Sequence, residues 1–249
     1  VIEQFIADGF VKVEGAFPEA TAQACADLLW AETGFDRDNL GTWVKPVHWV
    51  FDMAQEPFVE AANTPVLHEA FDQIAGPGHW VPRPSLGSFP LRFPHDDEPD
   101  DAGWHIEGSF LPEGGKHYRA NVRSKDRALL MLFLFTEVDE DNAPTRIRVG
   151  SHMDVPPVLQ PYGDAGASPL RIAKEIADAS AHRPVALATG VPGDVYLCHP
   201  FLVHAAQPNH GTKPRFMGQP PLHPKAPYDL ENGDSPVERT IRDALSPAR

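Results

Sequence analysis

The sequence predicts a mainly β protein in which helices flank a double-sheet jelly roll, and three observations predict it. Apolar residues recur with helical spacing up to about residue 77, then alternate or run continuously in short stretches from Gly78 onward. Eight such stretches follow one another between turn residues, as in an antiparallel sandwich or barrel. The 27 prolines among 249 residues favour turns and loop edges over a helical bundle. Together these point to a cupin-like barrel, a double-stranded β-helix whose mouth gathers inward-facing polar side chains. The expected organisation is a single domain over residues 1–249, with a helical front (1–77), a barrel (78–222) and a tail (223–249).

The elements are read in order. Residues 17–31 carry Ala24, Cys25, Leu28 and Leu29 on one helical face, and Gly34 is placed to end the helix. A second helix is expected over 65–75: Thr64 suits the N-cap, Pro65 the first helical position, and Val66, Leu67, Ala70, Phe71 and Ile74 the apolar stripe. The loop-like stretch with Trp43, His48 and Trp49 is a candidate for packing or for a lid at the barrel mouth.

Strands are expected over 85–93, 103–110, 119–123, 128–138, 145–150, 185–188, 194–198 and 214–220. Residues 129–135 are apolar at every position, which predicts a strand buried on both faces. One helical insertion, 169–179 with Ser168 as cap, separates the strands. Ser235-Pro236-Val237-Glu238 reads as a capping box opening a last short helix.

The formal charge of −14 argues against a nucleic-acid partner, since phosphate binding needs clustered Lys and Arg. Cys25 and Cys198 are too few and too far apart for a disulfide framework or a Cys-rich zinc site. No apolar run has membrane-spanning length, and the first residues lack the pattern of a secretion signal, so no membrane partner and a cytoplasmic location are expected. The expected partner is a small-molecule substrate.

The chemistry concentrates in Gly103-Trp104-His105-Ile106-Glu107-Gly108 and in residues 193–215. On an extended strand His105 and Glu107 share a face and can grip one ion together. Bulky Trp104, Ile106 and Phe110 surround them, and a carboxylate in apolar surroundings needs a compensating cation. A histidine from a distant strand would complete two imidazoles and one carboxylate, the ligand set of non-haem Fe(II) oxygenases.

His199 and His204 compete for that place. Their odd separation puts them on opposite faces of an extended chain, so one of them looks into the barrel. His204 is the choice, because Arg215 follows on the expected return strand and offers a planar two-point grip on a carboxylate. His199, before Pro200, reads as structural.

Gly103 to Gly108, then Asn142-Ala143-Pro144-Thr145-Arg146-Ile147-Arg148-Val149-Gly150-Ser151-His152, then Pro192-Gly193-Asp194 leading to His204 and Arg215, resemble the phytanoyl-CoA dioxygenase-like family of Fe(II)/2-oxoglutarate oxygenases. The opening Phe5-Ile6-Ala7-Asp8-Gly9-Phe10-Val11 extends the resemblance over nearly the whole chain. The resemblance implies iron held by His105, Glu107 and His204, with 2-oxoglutarate held by Arg215 and O2 as oxidant. The expected outcome is hydroxylation of an unactivated C–H bond with release of succinate and CO2, while desaturation, epimerisation or ring formation would use the same residues; the resemblance makes His152 part of a structural turn.

Two positions depart from the family. Glu107 stands where Asp is usual; it keeps the carboxylate, whereas Gly or Ala there would open a halide site. Ala206 stands where many members carry a small hydroxyl residue, leaving Thr145 and Arg92 as candidates to assist 2-oxoglutarate binding. Arg92, Arg119, Arg123, Arg146 and Arg148 are expected as outward strand residues paired with acids, or as contacts for an acidic substrate. Two rival readings use the same residues: a Zn or Mn hydrolase or isomerase, and a non-catalytic ligand-binding barrel.

Overall fold

A computed structural model describes residues 1–246, so residues 247–249 of the expected tail lie outside it. The front comprises α1 (Ile2–Asp8), β1 (Phe10–Val13), α2 (Glu19–Thr33), β2 (Val47–Val50), α3 (Glu56–Ala62) and α4 (Pro65–Ala75). Gly9 ends α1 at φ 81, and a Cβ there would lie 2.5 Å from His152 Nδ1, so both backbone angle and close packing demand glycine. Helix α2 starts two residues after the expected position, at Glu19, and ends on left-handed Gly34. Helix α4 has the expected bounds, with the Thr64 hydroxyl accepting from Leu67 N.

The remaining elements are β3 (Phe89–Arg92), β4 (Leu129–Leu134), β5 (Thr145–Arg148), α5 (Val155–Leu159), α6 (Pro169–Ala179), β6 (Val185–Ala188), β7 (Val195–Cys198), β8 (His204–Ala205), β9 (Met217–Gly218), β10 (Pro221–Leu222) and α7 (Pro236–Leu245). The larger sheet runs β1-β7-β4-β10, with β9 also on β4, and a smaller one runs β6-β5-β8. A separate antiparallel ribbon joins β2 to β3. Every pairing is antiparallel. The sheets do not close into one hydrogen-bonded cylinder; they form the face-to-face jelly roll.

Strand β4 shows why its sequence lacks alternation. Leu129, Met131 and Phe133 join the core that takes in the helices, while Leu130, Leu132 and Leu134 join Ile147, Ala188, Tyr196 and Met217 in a second core. Both faces are therefore buried, each large apolar side chain contributing about 1.5–3 kcal/mol. The tail seats α7 by its capping box, Ser235 with Glu238, and by buried Val237 and Ile241.

Three expectations need correction. Residues 103–110 do not form a continuous strand: they pair only at His105 with His204 and at Phe110 with Arg119. Gly108 lies so close to Tyr118 that a Cβ would sit 2.5 Å from that side chain, which draws the segment away from a regular ladder. Residues 119–123 likewise make single pairings rather than a strand. The stretch with Trp43 and His48 is no lid: β2 pairs residue by residue with β3, and buried Trp43 packs against Trp30 and Phe93.

Candidate metal centre and anion site

Strand β8 opens at His204, whose neighbour on β5 is Ile147. On its other side His204 pairs with His105 through two backbone bonds of 3.0 Å, one in each direction. Directly opposed residues of an antiparallel pair project to one face, and the imidazole centroids are 4.5 Å apart. Glu107, two residues beyond His105 in extended chain, turns to the same side. Its Oε1 lies 3.6 Å from His204 Nε2 and 3.9 Å from His105 Nε2. One donor atom from each of the three lies within 4.8 Å of the others, a spacing that can hold a metal ion.

The tautomers suit that use. His105 Nδ1 donates to Gly103 O at 2.8 Å and His204 Nδ1 donates to Leu202 O at 3.0 Å. Each Nε2 lone pair therefore points into the cluster. Burial raises the Glu107 pKa, but contacts from His105 and His204 and the Arg127 charge outweigh it and hold the carboxyl well below its usual range. Burial, then the His105 charge, lowers His204. His105 moves the other way, because Glu107 outweighs the effect of burial.

Arg127 is a neighbour of the cluster that its sequence pattern does not single out. Its Nε and Nη2 donate to Gly108 O at 3.3 and 3.2 Å, and Nη2 stands 3.9 Å from Glu107 Oε2. A cation immediately before an all-apolar strand was the available signal.

Deeper in the fold lies a pair of arginines. Arg92 and Arg215 oppose one another through backbone bonds of 3.0 and 2.8 Å, and both side chains are buried. Arg215 donates to Ala143 O at 3.0 Å and Pro90 O at 2.8 Å, with the Thr145 hydroxyl 3.5 Å from Nη1. Arg92 donates to Asp101 at 2.5 Å. Arg92 Nε and Nη1 and Arg215 Nε have no hydrogen-bond partner among the described residues.

A buried orphan donor costs about 1–3 kcal/mol. Burial, then the Arg92 charge, pushes the Arg215 guanidinium well below its ordinary pKa. Arginine keeps its proton in proteins, so two adjacent cations facing one Asp leave an excess of positive charge that an anion would neutralise. The structure thus brings Thr145 and Arg92 to Arg215. Thr145, beside Arg215, lies two residues along β5 from Ile147, the partner of His204, a rise of about 7 Å along the strand.

His199 and His152 take no part in the cluster. Buried His199 accepts from Phe201 N at 3.0 Å and has Nε2 3.2 Å from the Thr240 hydroxyl. His152 donates to Ile6 O at 3.1 Å. Four arginines expected to pair with acids or to face substrate hold backbone carbonyls: exposed Arg119 those of Ala165 and Gly166, and half-buried Arg123 that of Tyr228, Arg146 those of Ala102 and Ala206, and Arg148 that of Ala177. A hollow of about 310 Å³ opens beside His105 and Glu107, lined also by Lys116, His117, Tyr118 and Leu170.

The pattern of one family, phytanoyl-CoA dioxygenase (PhyH), matches residues 5–217, which include the whole cluster and Arg215. The chain belongs to the phytanoyl-CoA dioxygenase family. The fold of this family member is similar to that of the non-heme alpha ketoglutarate dependent carbocyclase SnoK from nogalamycin biosynthesis, with a TM-score of 0.63 at 17% identity over 93% of this chain and 87% of that one. It is also similar to EctD from S. alaskensis, solved with 2-oxoglutarate and 5-hydroxyectoine (TM-score 0.55, 18% identity, 88% of this chain and 73% of that one). A third likeness is to HygX from Streptomyces hygroscopicus, solved with nickel, 2-oxoglutarate and hygromycin B (TM-score 0.52, 16% identity, 88% and 86%). No curated protein matches this PhyH member in sequence. Among the described residues no helix is long and apolar enough to cross a membrane.

Proposed function

We propose that this protein is an Fe(II)- and 2-oxoglutarate-dependent dioxygenase that hydroxylates an unactivated C–H bond of a small molecule. The single observation that carries the reading is the coupling of two sites by one strand. Two imidazoles and a carboxylate converge beside Ile147, and two residues along β5 Thr145 lies against a buried arginine pair with unused donors. That arrangement fits a short dicarboxylate with one end on Arg215 and the other at the metal.

The donor set fits iron. His105, Glu107 and His204 would hold it from one side, leaving positions open on the other. When bound, Fe(II) supplies the redox chemistry by which O2 and 2-oxoglutarate are consumed, one oxygen atom entering the substrate and the other the succinate that leaves with CO2.

The chain's own residues do the rest. Arg215, with Arg92 and Thr145, fixes the far carboxylate of 2-oxoglutarate and cancels its charge in a dry site. The carbonyls of Gly103 and Leu202 fix both imidazoles by their Nδ1–H and turn each Nε2 toward the cluster. Substrate enters the hollow beside His105, its body against Tyr118 and Leu170 and an acidic group toward Lys116.

The test is succinate formation with Fe(II), 2-oxoglutarate and a panel of small acids, amino acids and carrier-linked acids. Substrate-dependent succinate and an oxygenated product support the reading. Turnover and iron binding that survive in both Glu107→Ala and His204→Ala defeat it, and zinc retention without 2-oxoglutarate binding favours a hydrolase.

A further inference from the structure

The segment that carries His105 is poorly secured by its own backbone. In the antiparallel register set by His105 and His204, the next rung should join residues near 103 and 206. No backbone bond links residues 102–104 to 205–207. The missing rung is supplied by a side chain. Arg146 Nη2 donates to Ala102 O at 2.7 Å and to Ala206 O at 2.7 Å. Its guanidinium also lies 5.0 Å from the ring centre of Trp104, the residue before His105. Arg146 sits on β5 opposite Ala205, so it reaches across both histidine-bearing segments from the strand that flanks them.

We infer that Arg146 is a positioning residue for the metal centre, a clamp that fixes the separation of His105 and His204 through Ala102 and Ala206. The inference rests on the proposed function only in taking those histidines as metal ligands. A clamp of this kind acts on metal affinity more than on the fold, because the strands that build the core are already paired without it. Outer contacts that orient metal ligands typically govern about 10–100-fold in affinity.

Arg148 provides an internal control. Its guanidinium stacks on the same Trp104 ring at 4.3 Å, yet that guanidinium's hydrogen bonds go to Ala177 O and Ser180, away from both histidine segments. General support of Trp104 and tethering of the two ligand segments are therefore separable.

The experiment is an anaerobic Fe(II) titration against a chromophoric chelator, with thermal unfolding of the metal-free proteins alongside. The expected result is about a 10–100-fold loss of Fe(II) affinity in Arg146→Met. Arg146→Lys, whose ammonium also carries donors enough for both carbonyls, should recover most of it, and Arg148→Met should stay within about twofold of the wild type. Arg146→Gln, polar but too short to span both carbonyls, replaces the Met variant if that fails to fold. Affinity in Arg146→Met or Arg146→Gln within twofold of wild type, or equal losses at positions 146 and 148, overturns the clamp. Failure of both Arg146 variants to fold overturns it too, since the role would then be in the fold. A wild type that binds no Fe(II) defeats the ligand reading itself, and the clamp with it.

Discussion

Replacing His152 by Gln should flatten the acid limb of the stability profile. His152 is 1% exposed, its Nε2–H is spent on Ile6 O, and its Nδ1 has no partner and faces Gly9. A second proton would thus be buried without an acceptor. Burial, only partly offset by the bond to Ile6, lowers the pKa from 6.5 to about 4. The folded state therefore resists a proton that the unfolded chain takes up near its ordinary value. Stability is full above the unfolded pKa, falls with pH below it, and levels off beneath the folded pKa.

For one such group the loss is about 2 kcal/mol between roughly pH 7 and pH 5, and about 3 kcal/mol in the limit. Guanidinium denaturation of wild type and His152→Gln at both pH values measures it. His199, depressed first by its own burial and then by the neighbouring His152 charge, is present in both proteins, so its burial contribution cancels in the difference. The variant should be the weaker protein near neutrality, and the gap should narrow by about 2 kcal/mol at the lower pH. Parallel profiles would show that His152 is protonated in the fold and would refute the reasoning.

Other outcomes follow from the same structure. Arg215→Met should weaken 2-oxoglutarate binding about 100-fold, the loss of roughly 3 kcal/mol of charge-assisted hydrogen bonding, while Fe(II) affinity changes little; calorimetry of each ligand checks both. Fe(II) affinity should fall as pH drops, by up to about tenfold per unit for each displaced proton. That decline should begin above the usual histidine range, because Glu107 raises the His105 pKa, and chelator competition across pH measures it. Leu132→Ala, in the core between the sheets, should cost about 2–5 kcal/mol by denaturant unfolding without altering the metal centre.

How much of this was legible in the sequence depended on periodicity and on locality. Helix α4, helix α6 and strand β6 have the bounds that their caps and apolar spacing predict. The continuous apolar run of β4 announced burial on both faces. His204 was chosen by parity along an extended chain, yet a turn closed by Leu202 N–H on His199 O interrupts that chain, and it is the turn that separates the two histidines. The His105 segment was read as a regular strand because alternation in sequence carries no information on whether a partner strand is in reach; Gly108 and Tyr118 decided that in three dimensions. The arginines were misread for a similar reason. A cation between apolar residues looks alike whether it meets solvent, an acid or a carbonyl, and the carbonyls held by Arg119, Arg123, Arg146 and Arg148 lie at least 29 residues away in sequence. Arg92 and Arg215 stand 123 positions apart, and only their backbone pairing reveals that they share one place in the fold.

The metal-ligand cluster and the arginine pair are expected to act as one site, and 2-oxoglutarate binding tests this most directly. Anaerobic calorimetry should find one 2-oxoglutarate bound per chain in the presence of Fe(II), with much weaker binding in its absence and in His204→Ala. Absence of binding, or binding that is indifferent to both the metal and His204, would contradict it.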